Sequence, residues 1–111
     1  MFEIMNKEKN VIVGPRQESL KDFFVEFKKD YPKLLENNVV VDLNSVVIDS
    51  SAEIILFLNT AKSHTTNNTS FVVVAHGVNT DIFPSELRVV HTMVEAMDVL
   101  EMDEISRDLG F

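Results

Sequence analysis

Asp49, Ser50, Ser51 and Glu53 are the residues whose types and spacing come nearest to chemistry in this chain. Two hydroxyls flanked by carboxylates can take a phosphate, bind a partner, or close the first turn of a helix. A helix N-terminus carries unpaired backbone N–H groups and the positive end of the dipole, so a phosphate on Ser50 is tolerated there. The segment also reads as a plain cap. Ser50-Ser51-Ala52-Glu53 is Ser-x-x-Glu, in which the Ser side chain and the Glu carboxylate each satisfy a backbone donor. The residues alone leave both readings open.

The rest of the chain offers less. His64 lies in a polar stretch, His76 follows an apolar run and His91 precedes a Thr cap, without His-x-His or His-Glu-x-x-His spacing, so no metal set is expected. Asp42 and Asp49 are the one carboxylate pair to weigh, and Asp42 falls inside an apolar run, which suits acid–base work poorly. Only three glycines are present; they build no phosphate-cradling loop, and Ser50 lacks a Gly-x-Ser-x-Gly setting. No Cys means no thiol nucleophile, disulfide or Cys-bound zinc, and the cytoplasm is the expected compartment. The expectation is a non-enzymatic protein without cofactor.

The elements that must position the Asp49 segment follow from periodicity. Phe2–Met5 and Val11–Val13 read as a hairpin across Asn6–Asn10, stopped by Gly14-Pro15. From Gln17, the residues Leu20, Phe23, Phe24, Phe27 and Tyr31 recur at helical spacing until Pro32. Val39–Leu43 and Phe71–Ala75 are apolar enough to be strands covered on both faces. Between them, Ile54 to Ala61 predicts a helix too apolar for the surface, followed by a polar loop from His64 to Ser70. Gly77–Pro84 connects to a short strand, Leu87–His91, and Thr92-Met93-Val94-Glu95 caps a last helix reaching about Asp108, with Gly110 as its stop. Met93, Met97 and Met102 in that helix read as core filling. The predicted fold is one small α/β domain over residues 1–111. It has the order ββαβαββα, a mixed, mostly parallel sheet of about five strands, and helices packed mainly on one side.

The chain has 111 residues and a formal net charge of −8, unevenly spread. Met1–Asn38 balances seven acids with seven bases, whereas Thr92–Phe111 holds six acids and one base. Acids interleaved with apolar residues imply a helix with a solvated acidic face. This acidity argues against nucleic acid and anionic membrane as partners, and no stretch approaches the roughly 18 to 20 apolar residues of a membrane span.

Asp49-Ser50-Ser51, placed between the strand ending Val41-Asp42-Leu43 and an apolar helix, resembles the Asp-Ser-Ser-Gly segment of STAS domains, the anti-sigma-factor antagonists. Element order and length agree over nearly the whole chain. The resemblance implies a regulatory module that binds a protein partner, a serine kinase or anti-sigma factor, with the first Ser after the Asp as phosphorylation switch; here that is Ser50. It places the partner surface at Asp49, Ser50, Ser51 and Glu53, with Gly14 and Arg16 at the end of the second strand. Three positions depart from the family: Ala52 replaces its Gly, Pro15-Arg16-Gln17 replaces its Leu-Asp continuation, and Gly77–Ser85 is too short for its last crossover helix. Two further readings stand beside this one. One is a small-ligand sensor using the cleft between the Asp49 turn and the Gly77–Ser85 loop. The other is a homo-oligomeric assembly domain, for instance a homodimer through the hairpin edge or an apolar helix face.

Overall fold

A computed structural model of the chain describes residues 2–3, 10–15, 19–44 and 51–110. Within them the protein is a small α/β domain built on a parallel four-stranded sheet with helices on both faces. Its strands are β2 (Asn10–Val13), β3 (Asn38–Asp42), β4 (Phe71–Val74) and β5 (Arg88–Val90), hydrogen-bonded in sequence order. A short segment β1 (Phe2–Glu3) runs antiparallel along β2, Phe2 opposite Val13.

The alternation of side chains in the central strands divides the core in two. Val39, Val41, Phe71 and Val73 point into one cluster, and Val40, Val72 and Val74 into the other. Val39, Val40, Val41, Val72, Val73 and Val74 are all fully buried, as runs covered on both faces require. The larger cluster lies under α1 (Leu20–Asp30), α2 (Ser51–Ile55) and α3 (Leu58–Thr66). The smaller one lies under α4 (Met93–Asp108), through Ala96 and Leu100.

Helices mainly on one side therefore describes α1 to α3, while the longest helix, α4, covers the opposite face. The reason is the last connection. Gly77 to Leu87 holds only a one-turn 3-10 segment, Thr80–Ile82, and sends Phe83 and Leu87 into the larger cluster. The face above Ile12, Val40 and Val72 is then left for the helix that follows β5.

Local chemistry sets the element ends. Ser19 caps α1, its hydroxyl accepting from Asp22 N–H at 3.2 Å, so the helix begins at Leu20. The chain narrows to a 3-10 turn at Tyr31–Leu34, where Pro32 has no N–H to continue α1. Thr92 caps α4 by accepting from Glu95 N–H at 3.2 Å, and Gly110 beyond its end has φ +79°, a conformation natural to glycine.

Two expectations for the middle of the chain are corrected. The helix after β3 comes in two pieces, broken at Leu56-Phe57. Phe57 turns fully inward, while Ile55 and Leu56 are each 41% exposed, so this helix is not wholly buried. His64 is not in a loop: α3 runs to Thr66 and buries His64 completely. Phe57, Ala61 and His64 share one helical face, so the periodicity extends into a stretch whose polar composition suggests a loop. Among the described residues, no helix is long and apolar enough to cross a membrane.

Candidate functional site at the carboxyl edge of the sheet

Open α/β sheets bind ligands and partners beyond the carboxyl ends of their strands. Here that edge is tied together by a chain of short contacts. Gly14, just past β2, lies so close to β3 that a Cβ there would stand 2.5 Å from the Asp42 carbonyl oxygen. Only a residue without a side chain allows that approach. At the end of β3, Asp42 Oδ1 accepts from Asn44 N–H at 3.0 Å, an Asx turn that bends the chain off the sheet. Asn44 Oδ1 in turn accepts from His76 N–H, just past β4, at 3.0 Å.

Three strand ends are thus joined through Gly14, Asp42, Asn44 and His76. Asn44 and His76 are exposed and Asp42 is half-buried, so the edge offers an amide, an imidazole and a carboxylate to whatever docks there. His91, also exposed, anchors the neighbouring loop: its Nε2 lies 2.9 Å from the Val78 carbonyl.

The structure places the sequence candidates unevenly. Gly14 is at this edge. Ser51 opens α2, one residue after the Ser50 position read as its cap, and Glu53 lies half-buried in its first turn. Ile54 joins the cluster that holds Leu43, which seats α2 beside the end of β3. Asp49, Ser50 and Arg16 lie outside the described residues, and with them the ligand cleft at the Asp49 turn. Asn44 and His76 are additions that sequence reasoning missed. Asp42-Leu43-Asn44, two Asx residues around a strand end, is the signal that could have found the first.

The amino edge of the sheet is joined as well. The buried Asn38 donates to Asn10 Oδ1 at 3.0 Å and accepts from Ser70 N–H at 2.9 Å, linking β2, β3 and β4. Ser70 Oγ donates to Asp103 Oδ2 at 2.6 Å, and Arg107 donates to Ser70 Oγ at 3.2 Å. Arg88 of β5 grips Asp103 with both arms of its guanidinium. Burial pushes the Asp103 carboxyl up, but the hydrogen bonds from Arg88 and Ser70, with the charges of Arg88 and Arg107, together hold it below its ordinary value. This cluster fixes the second half of α4 to β4 and β5, where the apolar contact of Ala96 and Leu100 has ended.

A third polar group sits inside the larger core. His64 Nε2 lies 3.1 Å from the Asn37 carbonyl, and Nδ1 meets the Tyr31 hydroxyl. The same hydroxyl donates to the Thr60 carbonyl at 2.9 Å. Burial lowers the His64 pKa below 6.5, against the raising effect of its backbone hydrogen bonds, and burial raises that of Tyr31 to about 12. The signs follow. The unfolded chain takes up a proton at His64 that the fold refuses, so stability falls as pH drops below 6.5. The fold also keeps a Tyr31 proton that the unfolded chain loses above 10, so this contribution is present below pH 10 and disappears towards about 12. Urea midpoints across pH are expected to show both slopes. In Tyr31→Phe the alkaline loss between 10 and 12 should shrink, and loss of the hydroxyl's contacts to Thr60 and His64 should cost about 1–3 kcal/mol at neutral pH. An unchanged alkaline limb would refute the assignment.

No family model matches this chain. No curated protein matches it either. Among the described residues, no three His, Asp or Glu side chains converge as a metal site.

Proposed function

We propose that the protein is a non-enzymatic regulatory module, similar to STAS domains, that binds a protein partner at the carboxyl edge of its sheet. The observation that supports this most is the joined edge itself. Gly14, Asp42, Asn44 and His76 form a joined polar platform, and α2 begins beside it with the Glu53 carboxylate in its first turn. Partner-binding loops placed by a rigid scaffold are the usual design. The alternation of parallel strands with helices, and a last connection reduced to a 3-10 turn, agree with a trimmed relative of that family.

In this reading Asp49, Ser50, Ser51 and Glu53 with Gly14 and Arg16 form the contact surface, and Ser50 is the modified residue. A phosphate on Ser50 meets the N-terminus of α2, which attracts it, and the Asp49 and Glu53 carboxylates, which repel it. The added charge therefore repels an acidic partner surface and recruits a basic one.

The test has two arms. The protein is incubated with a serine kinase of its own cell and ATP, and capture from native lysate is compared for wild type, Ser50→Ala and Ser50→Asp. One phosphate per chain, lost in Ser50→Ala, together with a partner whose capture changes in Ser50→Asp, is the expected result. An unmodified mass, with identical capture by all three proteins, would sink the switch. Capture that also survives Asn44→Ala and His76→Ala would remove the platform.

A further inference from the structure

Two apolar surfaces of this chain lie on opposite faces of the sheet and carry opposite charge. The first is a groove of about 590 Å³ between α1 and the α2–α3 pair. Phe24 and Tyr31 form one wall and Ile55, Leu56 and Leu58 the other. Lys28 stands at its rim with Nζ 5.7 Å from the Phe24 ring centre, and Lys21 lies one turn before Phe24 on the same side of α1. Among the described residues, no carboxylate lines the groove.

The second surface is the outer side of α4. Ala96 and Leu100 face the sheet, yet Val94, Met102, Ile105 and Leu109 are 72%, 63%, 46% and 65% exposed. Met102, Ile105 and Leu109 follow helical spacing and form a continuous stripe, with Glu101, Glu104 and Asp108 along one flank. Met102 is thus not core filling. A helix apolar on both sides is one that has something to bury on both sides.

We propose that the outer stripe of α4 from one molecule docks into the α1/α2–α3 groove of a second copy. The groove is open at the surface and wide enough for apolar side chains, its rim is basic, and the stripe that would enter it is flanked by acids. The pairing joins two different patches, so it is heterologous: each molecule keeps one free groove and one free stripe, and assembly continues unless the rotation closes a ring. A symmetric pair of α4 helices would instead bring six-acid segments together, and a symmetric pair of grooves would oppose lysines.

Two variants on exposed positions separate these cases. Leu56→Glu places an acid in the groove and leaves α4 intact. Ile105→Lys places a base in the stripe and leaves the groove intact. Folding of each is checked by circular dichroism and thermal melting. In light scattering over a concentration series, wild type is expected to rise in mass beyond a dimer, and each variant alone to stay monomeric. An equimolar mixture should give a 1:1 heterodimer and nothing larger, because the intact stripe of one meets the intact groove of the other. A wild-type monomer at every concentration, a dimer that persists in either variant alone, or a mixture that stays monomeric would each overturn the proposal. None of these outcomes depends on Ser50 or on the platform at the carboxyl edge.

Discussion

Phe57→Ala is expected to cost about 3–5 kcal/mol, the largest loss from any single truncation in this domain. Phe57 is fully buried at the break between α2 and α3, and its ring touches four others. Phe24 and Phe27 meet it edge-on at 5.1 and 5.6 Å, while Phe23 and Phe71 lie at 6.4 and 6.3 Å. These partners come from α1 and from β4, so one side chain joins three elements of the larger core. Its removal leaves a cavity that rigid rings cannot collapse to fill. Domains of this size are stable by only about 5–15 kcal/mol, so the variant should lose a large part of its stability. Urea unfolding followed by circular dichroism measures the loss. Val25→Ala, on the 55% exposed side of α1, is the control and should stay within about 0.5 kcal/mol. Equal costs for the two would mean that the aromatic cluster does not organise the core.

Gly14→Ala is expected to cost about 1–3 kcal/mol through a different mechanism, overpacking against backbone. The added methyl meets the Asp42 carbonyl oxygen at 2.5 Å, and a carbonyl at the end of a sheet strand cannot swing aside as a flexible side chain can. Either β2 or β3 must shift. The shift reaches the proposed platform, because Asp42 also holds the turn at Asn44, which in turn holds His76. Partner capture should therefore fall in Gly14→Ala, while Asn44→Ala, which leaves the β2–β3 spacing alone, should weaken capture with a smaller cost in stability. Full stability and full capture in Gly14→Ala would show that the close approach has no consequence.

Much of this fold is legible in the sequence because its signals are local. Val39–Leu43 and Phe71–Ala75 read as buried strands from composition, and Thr92 with Glu95 marks the start of α4 within one turn. What escapes local reading is set by contacts between distant segments. His64 belongs with polar neighbours along the chain, and its burial depends on Tyr31 and Asn37, more than twenty-five residues away. Gly14 reads as a strand stop, but its approach to Asp42 exists only through the pairing of β2 with β3. The side given to α4 depends on how short the preceding connection is. Of the candidate site, Gly14, Ser51 and Glu53 carry local signals, whereas Asn44 and His76 meet only because β3 and β4 end side by side.

The sequential strand order has a consequence for synthesis. Each parallel strand adds beside the one made just before it, and α1, α2 and α3 close the first face as they emerge. Among the described residues, the opposite face, with Ile12, Val40, Val72 and Val74, has no helix to cover it until α4 leaves the ribosome. For that interval the nascent chain shows a bare aliphatic sheet surface, the kind of surface that chaperones hold and that neighbouring nascent chains stick to. The last twenty residues, which carry most of the net acidity, are thus also the ones whose arrival ends that exposure.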